Sequence, residues 1–152
     1  MKSKIIDLNT FNRRQLSGTI VLVTGIFDVL HQEHKKFLKA AKQQGDILMV
    51  GLESDTRTRQ LKGLGRPLKP INLRLQNLAK WGIADYIFPL PQKFHQPKHH
   101  ENLIKKIKPD ILAISSHTPN QLQKKKIIEK YDGQLKVVYS HNPKISTSKM
   151  IK

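Results

Sequence analysis

Residues 18–25 read Gly-Thr-Ile-Val-Leu-Val-Thr-Gly, an apolar and largely β-branched run between two glycines. Such a run predicts a strand that is buried on both faces, because helices cover both sides of a parallel sheet. The following segment, residues 31–44, carries an apolar stripe at helical spacing beside several lysines, and Gly45 ends it. A buried strand followed by an amphipathic helix is the first unit of an α/β fold.

Strands and helices continue to alternate along the rest of the chain. Further strands are predicted at residues 46–52, 86–88, 110–115 and 135–139. Helices are predicted at residues 55–62 and 71–81, around residues 103–107, from Thr118 with Pro119 in its first turn, and from Ser146 to Lys152. Residues 92–100 are polar and contain Pro97, which predicts a loop. The sequence therefore predicts an α/β fold, a Rossmann-like doubly wound parallel sheet of about five strands with helices on both faces and right-handed crossovers.

The composition is that of a globular domain, which we expect to span residues 1–152 as one unit. Hydrophobic residues make up 38% of the chain and charged residues 26%, so a packed core is expected rather than a disordered chain. Cysteine is absent, which excludes disulfides, thiolate metal sites and thiol nucleophiles. No apolar stretch has the length of a membrane span, and the amino terminus lacks the features of a secretory signal. We therefore expect a cytoplasmic protein that does not bind membranes.

The chain is strongly basic, with 28 Lys and Arg against 11 Asp and Glu and a formal net charge of +17. One interpretation is a solvated, lysine-rich surface, and the other is a dedicated surface for nucleic acid. Aromatic residues make up only 6% of the chain, which gives little support to a stacking platform for single strands. We therefore expect weak and nonspecific binding to polyanions.

The turn after the first predicted strand leads to two histidines, His31 and His34, at the start of the predicted helix. In a doubly wound sheet, ligands bind at the carboxyl ends of the strands. Residues three apart on a helix face the same side, here beside backbone N–H groups and the positive end of the helix dipole. The pair suits the oxygens of a triphosphate, but the same pattern also fits two partly exposed histidines near a helix cap.

Four motifs in this sequence resemble, in the same order, those of the cytidylyltransferase-like superfamily of nucleotidyltransferases. Gly25-x-Phe27-Asp28-x-x-His31-x-x-His34 resembles the G-x-F-D-x-x-H-x-G-H signature of that superfamily. Residues 41–46 resemble its A-K-x-x-G-D passage, and residues 145–149 (Ile-Ser-Thr-Ser-Lys) resemble its late I-S-T-T-K motif. Residues 54–74 resemble the nucleotidyltransferase part of bacterial ADP-heptose synthases. Glycerol-3-phosphate cytidylyltransferase is the other family member that the chain resembles.

This resemblance implies an adenylyl- or cytidylyltransferase that moves a nucleoside monophosphate from ATP or CTP to a small phosphorylated metabolite and releases pyrophosphate. It also implies catalysis by positioning and charge stabilisation, with Mg²⁺ accompanying the triphosphate and no metal ligands from the protein. The catalytic residues that it implies are His31, His34, Lys62 and Arg74. The nucleotide-binding residues that it implies are Thr24, Gly25, Ile26, Phe27, Asp28, His31, His34, Ser146 and Thr147. A homodimer is among the assemblies that the resemblance implies.

The chain departs from the superfamily pattern at Glu33, which stands where the signature has a glycine. A carboxylate repels nearby phosphates unless it turns outward. Residues 116–119 also differ from the segment that contacts base or substrate in relatives, and Lys144 stands near the position of a missing arginine. Two alternatives therefore remain, a nucleotide-binding protein without transferase activity and a basic nucleic-acid-binding protein.

Three further histidines, His95, His99 and His100, lie close together in the sequence. They fit either a metal site or a solvated loop. Pro97 is expected to interrupt helical spacing between them, and Glu101 is the nearest acidic residue. These features favour the solvated loop over the metal site.

Overall fold

A parallel sheet forms the centre of the fold in the computed structural model, which describes residues 3–140. Within these residues the sheet has six strands in the order β1-β4-β3-β2-β5-β6, and all neighbours run parallel. The strands are β1 (Lys4–Ile5), β2 (Ile20–Gly25), β3 (Ile47–Leu52), β4 (Tyr86–Pro89), β5 (Ile111–Ser115) and β6 (Gln134–Tyr139). The chain progresses from β2 towards one edge and then returns to add β5 and β6 on the other side. This reversal leaves a crevice at the carboxyl ends of β2 and β5, where doubly wound folds bind ligands.

Helices cover both faces of the sheet, as the sequence predicts. They are α1 (Gln32–Lys42), α2 (Asp55–Lys62), α3 (Ile71–Trp81), α4 (Pro97–Ile107) and α5 (Gln121–Lys130). Apolar side chains of α1 and α3 pack with alternate residues of β2 and β3 on one face. Side chains of α4 and α5 pack with the intervening strand residues on the opposite face. The architecture is therefore a Rossmann-like α/β fold.

The central strand β2 confirms the prediction of burial on both faces. Its residues Ile20 to Val23 are fully buried, and successive side chains alternate between the two apolar layers. Each such side chain contributes about 1.5–3 kcal/mol through burial. The carboxyl end of β2 is therefore a rigid platform for the loop that follows it.

Three elements differ from the sequence predictions. Strand β1 was not predicted, because a two-residue strand that pairs only with β4 carries no periodic signal. Helix α4 begins at Pro97, so the prediction of a loop through residue 100 is wrong. A proline is tolerated in the first turn because its missing N–H is not needed there.

Helix α5 begins later than predicted and without the predicted cap. It starts at Gln121 after Asn120, whose φ of 58° is left-handed. The hydroxyl of Thr118 instead accepts a hydrogen bond from the Ser115 backbone N–H at 3.1 Å. The helix predicted from Ser146 lies outside the described residues. Every helix within residues 3–140 is too short or too polar to span a bilayer.

Candidate functional site

A cavity of about 580 Å³ opens at the carboxyl ends of the central strands. Its walls come from the loop after β2, the start of α1, the end of β3, helices α2, α4 and α5, and the end of β6. The polar and charged residues that line it include Thr24, Asp28, His31, Glu33, His34, Glu53, Arg57, Lys62, Arg66, His95, His100, Ser115, Thr118, Asn120, Gln123, Lys124 and Tyr139. A volume of this size falls within the usual range for small-molecule sites.

The two histidines meet at the amino terminus of α1. His31 is the N-cap, and its Nδ1 accepts a hydrogen bond from the Glu33 backbone N–H at 3.1 Å. The Nδ1 of His34 accepts from the His31 backbone N–H at 3.3 Å, and the two rings stack with centroids 4.0 Å apart. Because each Nδ1 is an acceptor, a neutral imidazole carries its proton on Nε2. The structure therefore brings together both predicted histidines, with their donor nitrogens beside the positive end of a helix dipole.

Gly25 and Phe27 shape the loop that leads to this histidine pair. A Cβ atom at Gly25 would stand 2.7 Å from the Phe27 ring, so the ring needs a glycine there. Phe27 has a φ of 51°, and its ring centroid lies 5.3 Å from that of His34. Together with Thr24, Ile26 and Asp28, both residues line the cavity, which is where the sequence predicts nucleotide contacts.

Asp28 holds the segment between α2 and α3 against the loop after β2. Its carboxylate accepts hydrogen bonds from the backbone N–H groups of Leu68 (2.7 Å) and Lys69 (2.9 Å) and from Arg66 Nε (3.0 Å). Burial alone would raise the pKa of Asp28, but these donors lower it, and the net pKa lies below its ordinary value. Both oxygens are occupied within the protein, so Asp28 orders the cavity wall and brings Arg66 to it.

The structure separates Lys62 from Arg74, which the sequence predicts to act together on phosphates. Lys62 ends α2 and lines the cavity. Arg74 is 0% exposed and is absent from the cavity lining. Its guanidinium donates to the carbonyls of Lys69, Ile26 and Glu53 at 2.8–3.0 Å and to Asp55 Oδ1 at 2.6 Å. This placement makes Arg74 a support for the surrounding loops, and the arginines that line the cavity are Arg57 and Arg66.

Glu33 is turned inward rather than towards solvent. Its side chain is 4% exposed, and Oε2 accepts a hydrogen bond from the Tyr139 hydroxyl at the end of β6. Its other oxygen, Oε1, is buried and has no hydrogen-bond partner in the described structure. The carboxylate therefore lies at the cavity wall, held by a contact with the end of β6.

A second group of titratable side chains, which sequence reasoning missed, lies on the α4 and α5 side of the cavity. Burial raises the pKa of Glu53 to about 7, against the opposing charges of Arg57, Lys124 and Arg74. Burial, followed by the charge of Lys124, lowers the pKa of His100 to about 4. Burial also lowers the pKa of Lys124. His100 could have been found by starting α4 at Pro97, because it then lies three to four residues before the apolar pair that faces the sheet.

The described residues do not provide a metal centre. Residues 3–140 contain no group of three or more His, Asp or Glu side chains that could hold a metal ion. The Nδ1 of His99 instead accepts hydrogen bonds from the backbone N–H groups of His95 (3.2 Å) and Gln96 (3.1 Å). The oxygens of Asp28 are already occupied, so this carboxylate does not suit magnesium. Ser146 and Thr147 lie outside the described residues.

Curated relatives are similar in sequence to most of this chain. The chain is 35% identical over 126 residues to bifunctional protein HldE from Pseudomonas entomophila (strain L48), and 34% identical over 126 residues to that from Pseudomonas fluorescens (strain SBW25). Each match covers 82% of this chain and 26% of the relative, so the chain spans about a quarter of these proteins.

Two solved structures share the fold. The lipopolysaccharide core biosynthesis protein from Thermoplasma volcanium is 23% identical with a TM-score of 0.66, over 83% of this chain and 98% of that one. Pantothenate synthetase from Thermus thermophilus is 9% identical with a TM-score of 0.63, over 97% of this chain and 67% of that one. The cytidylyltransferase-like family profile matches residues 22–152, and with this match the chain belongs to the cytidylyltransferase-like family.

Proposed function

We propose that this protein is a nucleotidyltransferase that moves a nucleoside monophosphate from ATP or CTP to the phosphate of a small phosphorylated metabolite and releases pyrophosphate. The observation that carries the proposal is the stacked pair His31 and His34 at the amino terminus of α1, inside a cavity that also presents Lys62 and Arg66. Two imidazole donors, two cations and a helix dipole form a favourable environment for a triphosphate.

The reaction is an in-line displacement at the α-phosphorus of the nucleotide. A phosphate oxygen of the acceptor forms the new bond to this phosphorus, and the bond to the β-phosphate bridging oxygen breaks, so that pyrophosphate leaves with the electron pair. No covalent enzyme intermediate forms. Catalysis is therefore the positioning of two anions and the stabilisation of the charge that develops between them.

The residues around the cavity have separate roles in this reaction. The Nε2–H groups of His31 and His34 donate to the α-phosphate and the leaving group, while Lys62 and Arg66 neutralise phosphate charge. Arg74 and Asp28 position the loops that carry these groups, through the hydrogen bonds described above. Ser146 and Thr147 are proposed to bind the outer phosphates. Magnesium bound to the triphosphate would supply further neutralisation of the phosphate charge.

The inward carboxylate of Glu33 supports a second candidate, a nucleotide-binding protein that does not catalyse transfer. Its buried Oε1 stands at the cavity wall without a hydrogen-bond partner in the described structure. A negative charge at this point weakens the binding of a triphosphate in a geometry suited to attack. The two candidates share the nucleotide site and differ only in turnover.

Nucleotide binding and pyrophosphate release test both candidates. Calorimetry with ATP and CTP in the presence of Mg²⁺ measures binding, and incubation with phosphorylated sugars and polyols measures release. The double variant His31→Asn, His34→Gln should lower nucleotide affinity by about tenfold or more, because the stacked imidazole donors are replaced by amide groups in a different geometry. Asn and Gln keep helix-capping acceptors at both positions, so the urea midpoint of unfolding should change little.

A matched control comes from α4, where His99 occupies the same third position as His34 does in α1. His99 does not line the cavity, so His99→Gln should leave nucleotide affinity unchanged. Saturable binding with pyrophosphate release supports the transferase. Binding without release under any acceptor supports the second candidate, and absence of nucleotide binding contradicts both.

A further inference from the structure

Residues 57–73, which we call the α2–α3 segment, are basic and contain no acidic residue. They run from the first half of α2 to the first turn of α3 and include five Arg and Lys residues. Arg59, Lys62 and Lys69 are exposed, and none of them forms an ion pair within residues 3–140. The positive charge of this segment therefore faces solvent.

The same segment concentrates the exposed leucines of the protein. Seven large hydrophobic residues are exposed among residues 3–140, and four of them lie in the α2–α3 segment. Leu64 is 92% exposed, and Leu61, Leu68 and Leu73 are exposed as well. Single exposed apolar residues are ordinary, but several within one stretch indicate an interaction surface.

Leu64 lies at the tip of a tight turn. The Arg66 backbone N–H donates to the Gly63 carbonyl at 3.3 Å, so the two residues between them form the centre of the turn. Gly63 and Gly65 have φ values of 100° and 88°, and a Cβ atom at either position would have no neighbour within 4 Å. The turn therefore projects into solvent, with Leu64 between two glycines and cations on either side, Lys62 and Arg66.

Hydrogen bonds at the base of the segment keep these leucines outside the core. The Asp28 carboxylate accepts from the backbone N–H groups of Leu68 and Lys69 and from Arg66 Nε. The Lys69 carbonyl accepts from Arg74 Nε at 2.9 Å. Apolar side chains that are held in water gain free energy when a partner covers them. The fold thus presents a preformed surface that is both apolar and basic.

Charge argues against three of the partners that could cover this surface. A second copy would bring the same positive charge to the contact, because a two-fold interface pairs a surface with itself. Residues 141–152, which lie outside the described residues, carry three lysines and no acidic residue, so they do not complement the segment. Nucleic acid would neutralise the cations, but its phosphate backbone offers nothing apolar to the leucines.

An anionic lipid bilayer complements both kinds of side chain. Its headgroups attract Lys and Arg, and the boundary of its acyl chains takes up apolar side chains without a fitted pocket. We propose that the α2–α3 segment docks on the surface of an anionic bilayer, with Leu64 and Leu68 at the headgroup level and Arg59 and Lys69 on the headgroups. The absence of a long apolar run predicts no membrane binding, but a surface contact needs no such run.

Vesicle sedimentation tests the proposal, with vesicles of phosphatidylcholine alone and of equal parts phosphatidylcholine and phosphatidylglycerol. The protein should bind the mixed vesicles and should not bind phosphatidylcholine alone. The double variant Leu64→Ser, Leu68→Ser should lower the partition coefficient by about tenfold or more, because two apolar contacts are lost. The double variant Arg59→Gln, Lys69→Gln should lower it by about tenfold or more as well, because two charges are removed from an anionic surface.

Matched controls change the same residue types elsewhere on the surface. Leu122→Ser replaces a leucine that is 68% exposed and lies in the lysine-rich helix α5. The double variant Lys36→Gln, Lys39→Gln removes two exposed charges from α1. Neither control should change the partition at physiological salt, where charges remote from the contact are screened. All of these side chains are exposed, so the urea midpoints of unfolding should stay unchanged.

The proposal is overturned if the wild-type protein does not bind the mixed vesicles. It is also overturned if the leucine variant binds them as well as wild type, because the attraction would then be a general effect of the positive charge. A dimer in sedimentation velocity that the leucine variant dissociates would assign the leucines to a second copy instead. Loss of tRNA affinity in the leucine variant would assign the segment to nucleic acid, and each of these two results overturns the proposal.

Nucleotide affinity, measured on the leucine variant, separates this inference from the proposed function. Leu64 and Leu68 do not line the cavity, so ATP and CTP should bind the variant as they bind the wild-type protein. If the wild-type protein binds no nucleotide, the proposed function fails while the vesicle experiment still decides the docking surface.

Discussion

Glu33 has a single hydrogen-bond partner for its buried carboxylate within residues 3–140, the hydroxyl of Tyr139. The contact joins the first turn of α1 to the end of β6, two elements far apart in the sequence. A larger residue than glycine is accommodated between the histidines because Tyr139 provides a donor for it. The glutamate at position 33, where the family signature has a glycine, is therefore stabilised by a residue of β6. No local sequence motif reveals this contact.

Tyr139→Phe should lower the free energy of unfolding by about 1–3 kcal/mol, the usual cost of leaving a buried acceptor unsatisfied. Urea denaturation measures the change. The control is Tyr131→Phe, which removes a hydroxyl from another carboxylate, Glu101, that keeps a hydrogen bond from Lys130 at 2.8 Å. This contact lies at the surface, where water weakens hydrogen bonds, so its loss should lower stability less than Tyr139→Phe does. Equal losses in the two variants would contradict a special role for the Glu33 contact.

Glu53 makes the stability of the protein depend on pH. Burial raises its pKa from 4.5 to about 7, with Arg57, Lys124 and Arg74 opposing the shift, and His100 stays neutral in this range because its own pKa is lowered to about 4. Between pH 4.5 and about 7, the carboxyl group of Glu53 is protonated in the folded state and ionised in the unfolded state. The contribution of Glu53 to stability therefore falls as the pH rises from 4.5 to about 7.

Glu53→Gln removes this proton linkage. The variant should gain on the order of 3 kcal/mol of stability relative to wild type as the pH rises through this window, and urea unfolding at several pH values measures the gain. Glu129→Gln at an exposed position should follow the wild-type profile. A constant difference between Glu53→Gln and wild type across the window would show that Glu53 does not titrate as described.

At the scale of elements, the segment at residues 63–70 is held by hydrogen bonds rather than by packing. Leu64 is 92% exposed and Leu68 is 54% exposed, so the segment has little apolar attachment. Asp28 provides the attachment through two backbone N–H groups and Arg66. One carboxylate in the loop after β2 thus determines the position of a cavity wall between α2 and α3.

Asp28→Asn should release this segment, because an amide cannot accept all three donors and places its own donor against one of them. We expect a loss of about 2 kcal/mol in the free energy of unfolding and faster hydrogen exchange at the amides of Leu68 and Lys69. Arg66→Gln is the comparison, since it removes the ion pair and leaves both amide hydrogen bonds in place. Unchanged exchange at the two amides in Asp28→Asn would disprove the role of the carboxylate.

The elements themselves were largely predictable because periodicity is a local property. Buried strands such as β2 and amphipathic helices such as α3 carry patterns of their own, and the sequence places both correctly. Strand β1 is too short for a pattern. The start of α4 is not predictable from the polar stretch around Pro97, because a proline breaks a helix in its interior but needs no hydrogen bond in the first turn.

The site was predictable only where its residues belong to one contiguous motif. His31 and His34 meet as expected because both belong to the first turn of α1. The surroundings of Arg74 and Glu53 are formed by residues of other helices and strands. Whether each side chain is buried or exposed therefore depends on the whole fold. Sequence spacing alone could not show that a cation near the motif is enclosed or that a carboxylate after β3 faces α5.

At the scale of the whole molecule, the net charge of +17 is the remaining feature without an assigned role. Such a charge attracts nucleic acids through counterion release, which is independent of sequence and strongly dependent on salt. The cavity, in contrast, offers donors fixed by the fold, whose effect on a bound triphosphate is screened less. Raising the ionic strength should therefore weaken nucleic-acid binding much more than nucleotide binding.

We expect tRNA affinity to fall by about a thousandfold or more between about 50 and about 200 mM salt, as for binding through several phosphate contacts. Nucleotide affinity should fall much less, because only a few charges are involved and they lie in a partly enclosed cavity. Fluorescence anisotropy with labelled tRNA and calorimetry with ATP measure the two. The double variant His31→Asn, His34→Gln provides the control, since it should weaken ATP binding and leave tRNA binding unchanged. If tRNA binding persists at physiological salt and is lost in this variant, the cavity is a nucleic-acid site, and the basic surface has a specific function rather than a nonspecific one.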